Sequence, residues 1–499
     1  MYLLGIDIGT SSCKVALFTE NGEAVEQSSK SYPIFRPQKG WVEQNPEDWW
    51  YAVCEAIKEL LNNSKVRPEK IAGIGVDGQS WSAIPISREG NLLRNTPIWM
   101  DTRAQGVCDD LKRTIGEETL FNVSGNPIQP TYTLPKVLWY RDQLPDLYKQ
   151  TDKILQSNSY IVYKLTGEVT QDISQGYGYQ CFDMRKGAWD NYLCKEMNLR
   201  ADILPEIVPC DEIVGQVTKE AATQSGLTMG IPVVAGGLDS ACGALGVGVI
   251  NHGETQEQGG QAGGMSICTK DYRADRRLIL SYHVTAENWL LQGGTVGGGG
   301  VLKWFEENFG QEERMTADQK GTTSFDEMTL QAENIDPGSE GVVFLPYMAG
   351  ERSPIWNPKA KGLYYGLDYS KTKGHMIRAS MEGVAFSLKH NLAIAEQAGA
   401  QVNRLRAMGG SANSPLWTQI KSDVTNNPID ILNSDTATTL GAAMLAGVAV
   451  GIYKNYEDAV SKTVQIRKSY HPNKENLKIY NKNYQLYLKL YEQLKELMQ

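Results

Sequence analysis

The chain is poor in histidine and has no paired cysteines. Its five histidines show no metal-ligand spacing, and none of its eight cysteines (Cys13, Cys54, Cys108, Cys181, Cys194, Cys210, Cys242 and Cys268) stands in a C-x-x-C pair. That removes the usual grounds for a zinc site or a disulfide framework and leaves free, buried thiols as the expectation. Positive charge is not in excess either: 49 Lys and Arg against 58 Asp and Glu give a net charge of −9. Such a chain lacks the basic face wanted for general nucleic-acid or anionic-membrane binding, although a local phosphate pocket stays open to it. Long apolar runs are absent. The longest tract, Leu440 to Tyr453, is rich in Gly and Ala and suits a close-packed core helix, not a membrane span. No basic segment precedes the first apolar stretch, which Asp7 interrupts, so no signal peptide is expected and a reducing cytoplasm is the expected setting.

At 499 residues the chain is too long for one core, so two or three domains are expected. Strand-like and helix-like segments alternate, which favours α/β architecture. Leu3 to Asp7 is an apolar strand that ends on a carboxylate; Gly9-Thr10-Ser11-Ser12 turns, Cys13 to Phe18 runs back, and Asn21-Gly22 marks the next hairpin turn. Gly9 lets backbone N–H groups approach an anion, Thr10 and Ser11 add hydroxyl donors, and Asp7 suits a Mg²⁺ ion that accompanies phosphates. Pro46 to Asn62 reads as a helix capped by Asn45, and Ile71 to Asp77 as a buried strand. A second start appears late. Pro232 to Gly237 is a strand leading to Asp239, Val249 to His252 reads as a crossover, and Glu257 to Ile267 loosely repeats the strand–glycine-turn–strand form of the N-terminus.

Several further segments could carry chemistry. Asp239, held at a strand end, could accept a proton from a hydroxyl that attacks phosphorus; alone, it would equally be an N-cap. Gly293 to Gly300 has six glycines in eight residues before a helical start, offering backbone donors to phosphates or simply close packing. Met408-Gly409-Gly410-Ser411-Ala412-Asn413 is another strand–glycine–helix turn. Gln79 and Trp81, after the Asp77 strand, suit a polyol, as do Asp101 and Arg103; a core Trp and a surface ion pair are the plainer alternatives. Gln311 to Gly341 is polar and is expected to be an irregular surface excursion. Leu477, Tyr480, Tyr484, Tyr487, Tyr491, Leu494 and Met498 form an aromatic stripe on a helix, packed on its own domain or against a second copy.

Taken together, Gly5 to Ser11, Trp41 to Pro46, Gly125-Asn126-Pro127, Pro135 to Trp139, Ala235 to Gly248, Leu345 to Pro354, Met408 to Ser411 and Leu440 to Ala443 resemble the FGGY family of carbohydrate kinases, most nearly its xylulokinase branch. The resemblance implies a two-lobed, actin-like ATPase fold with a duplicated ribonuclease-H-like core and an interlobe cleft. Residues 1–248 would form the sugar-binding lobe that carries the base, and residues 249–499 the nucleotide lobe with the C-terminal helix. It implies ATP and Mg²⁺, phosphorylation of a small sugar (a ketopentose such as D-xylulose, or another ketose or pentitol), and a homodimer. By matching position Asp239 is the base, Asp7 and Asp239 face the cation, and Gln79, Ser80, Trp81, Asp101 and Arg103 read the sugar. Thr10, Ser11, Lys14, Gly260, Gln261, Gly297, Gly300, Gly409, Gly410, Ser411 and Asn413 contact the nucleotide. Two departures stand out. Ser80-Trp81 replaces the usual Met-His of xylulokinases, and Gly260-Gln261-Ala262-Gly263 replaces Gly-Thr-Ser-Gly. Two rivals stand beside this reading: a sugar or nucleotide sensor that kept the fold and lost catalysis, and a chaperone-like or filament-forming ATPase of the same superfamily, which needs no polyol-reading loop and which the full-length match disfavours. Phosphorylated product excludes the first, and sugar-independent ATP consumption marks the second.

Overall fold

The computed structural model describes residues 1–433 and 436–498. The first apolar run forms β1 (Tyr2–Ile8), and the small-residue turn sends the chain back as β2 (Ser12–Thr19), with Asp7 opposite Lys14. Asn21-Gly22 turns it again into β3 (Ala24–Ser31), the Gly22 N–H donating to the Thr19 carbonyl. Asn45 caps the Pro46–Ser64 helix by accepting the Glu47 N–H, and Trp49, Val53, Ile57 and Leu60 of that helix are buried in the core beneath the sheet. Next comes β4 (Ile71–Gly78), parallel to β1. With β5 (Ile213–Gln216), β6 (Pro232–Val234) and β7 (Gly237–Leu238) it completes a seven-stranded sheet of order β5-β6-β4-β1-β2-β3, β7 pairing with β4.

A second seven-stranded sheet follows. Its strands are β8 (Glu254–Gly259), β9 (Gly263–Thr269), β10 (Ile279–Tyr282), β11 (Trp289–Thr295), β12 (Arg404–Met408), β13 (Ile429–Leu432) and β14 (Ile466–Tyr470), in the order β10-β11-β9-β8-β12-β13-β14. Along β3-β2-β1-β4-β6-β5 the pairings run antiparallel, antiparallel, parallel, parallel, antiparallel. Along β11-β9-β8-β12-β13-β14 they run the same way. The loose repeat in the sequence is thus a duplicated sheet, and Gly260–Ala262 occupies in the second lobe the place of Gly9–Ser11 in the first.

Two helices lie between the sheets, Asp239–Gly246 and the Gly- and Ala-rich Ala437–Ala449. They pack on each other, and the Ala437–Ala449 helix also packs on β1 and β4. A Cβ at Gly5 would fall 1.9 Å from the Thr439 carbonyl oxygen, and one at Gly75 would fall 1.8 Å from that of Ala442. Only glycine permits backbone-on-backbone contact this close. The seam fixes where β1, β4 and the Asp239 helix meet.

One expectation is corrected, and one pair of alternatives is decided for packing within the chain. Gln311 to Gly341 is not irregular: it holds two helices, Gln311–Lys320 and Ser324–Glu333, the second entered through a capping box between Thr323 and Asp326. Their few apolar anchors, among them Ala317, Met328 and Ala332, hid them from a reading by hydrophobic content. The aromatic stripe of the C-terminal helix (Leu477–Leu494) is spent inside the chain. Tyr480, Tyr484, Tyr487 and Tyr491 are buried, and the Tyr347 hydroxyl donates to that of Tyr487 at 2.7 Å, so the stripe offers nothing to a second copy. All eight cysteines are free and buried. Among the described residues no helix is long and apolar enough to cross a membrane.

Candidate active site

Three carboxylates converge where β1, β4 and β7 end. Parallel pairing sets Asp7 opposite Asp77, and β7, paired to the end of β4, delivers Asp239 to the first turn of its helix. Asp239 is not the N-cap: Leu238 holds that position and Asp239 is the first residue of the helix. One of its oxygens accepts the Ser240 N–H at 2.6 Å. Burial first, and the neighbouring Asp7 charge second, push its carboxyl up to about 7. Asp7 pairs with Lys14 Nζ at 3.2 Å. The sequence reading gave no role to Asp77. It is fully buried, no donor faces either oxygen, and burial followed by the charges of Asp7 and Asp239 raises its pKa well above the carboxylate range. The signal was a second strand ending on Asp, visible as a partner of Asp7 only once β4 is laid beside β1.

Above Asp239 opens a cavity of about 370 Å³ between the lobes, lined by Thr10, Ser80, Trp81, Trp99, Tyr177, Ser240, Gln292, Arg352 and the Gly260–Gly264 turn. Trp81 has a left-handed backbone (φ 63°) and packs its ring on Tyr132 and Tyr177, at 4.5 and 5.6 Å between centroids. Its carbonyl accepts Lys136 Nζ at 2.9 Å, and its indole N–H has no partner among the described residues. Ser80 Oγ lies 3.0 Å from the Tyr177 hydroxyl, and Ser240 Oγ donates to Gln292 at 2.9 Å. Thr10 Oγ1 accepts the Trp99 indole N–H at 2.9 Å and keeps its own hydrogen to donate.

Three expected sugar-reading residues do not reach this cavity. Gln79 is buried behind the turn, its Nε2 donating to Gln44 Oε1 at 2.8 Å and its backbone N–H to the Ile8 carbonyl. Asp101 and Arg103 are neither cleft groups nor a surface pair. They form a buried bidentate bridge in which Asp101 also accepts the Val42 N–H at 2.6 Å and Arg103 bonds Glu43 at 2.7 Å over the face of Trp41. The residue of that segment which does line the cleft is Trp99. Tyr177, Gln292 and Arg352 were likewise missed: Arg352 lies in the Leu345–Pro354 motif, but nothing in its spacing aims it at the cleft, and Tyr177 and Gln292 were given no role.

A second cavity, of about 540 Å³ and mostly apolar, shares Gly260 and Gln261 with the first. Gly410, Ser411 and Asn413 line it, as do Phe325 and Met328 of the unexpected helix, Met381 and Trp417. Ser411 Oγ accepts Lys421 Nζ at 2.7 Å, and the same Lys421 bonds Glu257 at 2.6 Å. The Gly297–Gly300 turn behaves differently from expectation. Gly299 and Gly300 spend their N–H groups on the Gly260 and Gln261 carbonyls, at 2.7 and 3.0 Å, and Gly297 lies tightly against the Pro346 carbonyl. These glycines bind one turn to the other instead of presenting free donors. Gly409 sits behind Gly410 at φ 88°, against the Gly259 carbonyl; Ser11 is exposed at the tip of its turn.

The arrangement is therefore a polar cleft with a half-neutralised carboxylate at its floor, joined through one glycine turn to an apolar pocket. Residues 2–246 match the profile of the FGGY family of carbohydrate kinases, N-terminal domain, and residues 267–450 that of the C-terminal domain. The chain belongs to the FGGY family of carbohydrate kinases. This carbohydrate kinase is 30% identical to the xylulose kinase of Bacillus subtilis over 498 residues, 99% of this chain and 98% of that one. It is 33% identical to the gluconokinase of the same organism over 482 residues, 96% and 93% of the two chains. Among solved structures it superposes on the ligand-bound xylulose kinase of Lactobacillus acidophilus with a TM-score of 0.91 (26% identity, 99% and 98% covered). The gluconate kinase of that organism gives 0.90 (26% identity, 99% and 98% covered).

Proposed function

We propose that this kinase transfers the γ-phosphoryl group of ATP to a hydroxyl of a small sugar, with D-xylulose as the first substrate to test. The observation that carries this is Asp239: a cleft-lining carboxylate held near neutrality, between the sugar-sized cavity and the glycine turn that leads to the apolar pocket. Asp239 takes the proton of the attacking hydroxyl, and its position at the cleft floor orients that oxygen. Trp81 and Tyr177 offer flat faces to sugar C–H groups, while Ser80, Ser240 and Gln292 exchange hydrogen bonds with hydroxyls. The nucleoside fits the apolar pocket and its phosphates run past Gly260–Gln261 towards Thr10 and Lys14. Backbone donors survive the replacement of the usual Thr-Ser by Gln261-Ala262. Residues 1–248 then act as the sugar side and residues 249–499 as the nucleotide side.

The residues present fit a Mg²⁺ ion. Asp77 buries two oxygens that no donor faces, Asp7 lies beside it, and the charges of Asp7 and Asp239 both reach Asp77. Among the described residues no three side chains form a metal cage, which suits an ion that takes one or two carboxylates and completes its shell with phosphates and water. Asp7, with one of Asp77 or Asp239, would hold it, and when bound it would supply charge neutralisation at the transferring group. The test is coupled ADP release with Mg²⁺-ATP over a panel of ketopentoses, pentitols, glycerol and sugar acids. Sugar-dependent release supports the reading; release independent of sugar, or none with any sugar, overturns it.

A further inference from the structure

One cation in the cleft has no ion-pair or hydrogen-bond partner among the described residues. Arg352 enters from the loop after Leu345 and lines the sugar-sized cavity together with Asp239, Trp99 and Gln292. Its guanidinium lies flat on Gly294, where a Cβ would fall 2.6 Å from Nη2, and its other neighbour is the ring of Trp99 from the opposite lobe, 5.8 Å from Cζ to centroid. Glycine at 294 is what lets the fork lie there. Glu351, the adjacent carboxylate, acts on it only by charge at a distance: its oxygens accept the Val296 N–H at 2.6 Å, the Arg352 backbone N–H at 2.8 Å and Ser387 Oγ at 3.3 Å. Among the described residues no hydrogen bond or ion pair is made by the guanidinium. Its N–H edge is unused, and that edge is the part that recognises a carboxylate or phosphoryl group bidentately. Burial also holds its pKa below the usual arginine value, so the fold bears a cost that an incoming anion would relieve.

We infer that Arg352 receives an oxyanion in the sugar cleft. The inference rests on the kinase reading above and deepens it. Two sources share this chemistry: the carboxylate of a sugar acid offered as substrate, and the phosphoryl group once it has been transferred to the sugar. The same fork would grip either, whereas a neutral ketose leaves it unpaired. Calorimetric titration of wild type, Arg352→Met and Arg352→Lys with D-gluconate, D-xylulose and D-xylulose 5-phosphate separates them. Met keeps the stem packed between Gly294 and Trp99 and removes the charge; Lys keeps the charge and loses the fork.

If the carboxylate is the source, wild type binds D-gluconate, Arg352→Met weakens it at least tenfold, Arg352→Lys recovers part of the loss and D-xylulose binding moves less than twofold. If the phosphoryl group is the source, the same pattern appears with D-xylulose 5-phosphate and not with D-gluconate. The inference is overturned if wild type binds neither anion, or if Arg352→Met leaves both affinities within twofold. Because titration needs no turnover, an anion site that survives alongside an absence of ADP release separates the failure of the kinase reading from the failure of this one. A thermal melt of each variant guards against misfolding. If Arg352→Met does not fold, loss of bidentate affinity in Arg352→Lys carries the test.

Discussion

Asp239 shows how a side chain of ordinary type is given a task by its surroundings. An exposed aspartate is fully ionised at neutral pH and a poor proton acceptor, whereas burial beside Asp7 brings this one to about 7. A base works only when ionised, so kcat/KM for the sugar, measured with saturating Mg²⁺-ATP, should fall on the acid side, with its midpoint below about 7 because the nearby cation favours the ionised carboxylate; activity that instead rises towards acid pH contradicts the assignment. At this scale the sequence was partly legible. Asp7 and Asp239 could be placed because each ends an apolar strand at a small-residue turn, and that geometry is local. Asp101, Arg103 and Gln79 could not, because their direction is decided by distant partners: the Val42 N–H, Glu43 with Trp41, and Gln44. Arg352 and Tyr177 reach the cleft by tertiary routes that no spacing announces.

The elements that matter most are a seam and a wall. The seam is the Ala437–Ala449 helix laid backbone to backbone on β1 and β4 through Gly5 and Gly75, and on the Asp239–Gly246 helix through Gly441 and Gly246. Overpacking a site with no free volume costs about 1–3 kcal/mol and more where backbone must move. Gly75→Ala is therefore expected to lower the denaturation midpoint in urea by at least that equivalent, with the slope unchanged; an unaltered midpoint means the helix is not so close. The wall is the Ser324–Glu333 helix, which supplies Phe325 and Met328 to the apolar pocket. Its Thr323 cap is worth about 1 kcal/mol. Thr323→Ala should fray that turn and raise KM for ATP severalfold while KM for the sugar stays put, and equal changes in both would remove the pocket from the nucleotide. The first hairpin, the Asn45-capped helix and β4 were readable because period and punctuation agree there. The wall was not, since its apolar anchors are few, although its Thr323-x-x-Asp326 box was in plain view.

For the whole molecule, the duplicated pairing order in both sheets explains why the sequence repeated itself faintly: one solution to burying a mixed sheet is used twice, and the paired glycine turns face each other across the cleft. The link between the halves carries a pH liability. His283 is buried, with Nε2 2.7 Å from the Val249 carbonyl at the crossover, and burial pushes it down to about 4 from a usual 6.5. The unfolded chain takes up that proton as pH drops below 6.5 while the fold refuses it until about 4, so stability is full above 6.5 and lost across that window. Thermal melts from pH 7.5 to 4.5 should show a Tm decline that His283→Gln flattens; an equal decline in both places the acid sensitivity elsewhere. Architecture and family were legible from ordered motifs along the chain. How the lobes meet was not, because it depends on carbonyl oxygens seated on glycines far apart in sequence.

The central claim is phosphoryl transfer to a sugar with Asp239 as base. It is tested most directly by sugar-dependent ADP release from wild type and Asp239→Asn, with nucleotide affinity titrated in parallel. The account predicts D-xylulose- or sugar-acid-dependent release in the wild type, a loss of about 10²- to 10⁴-fold in kcat for the variant, and ATP binding within a few-fold of wild type. Near-normal turnover in Asp239→Asn contradicts it.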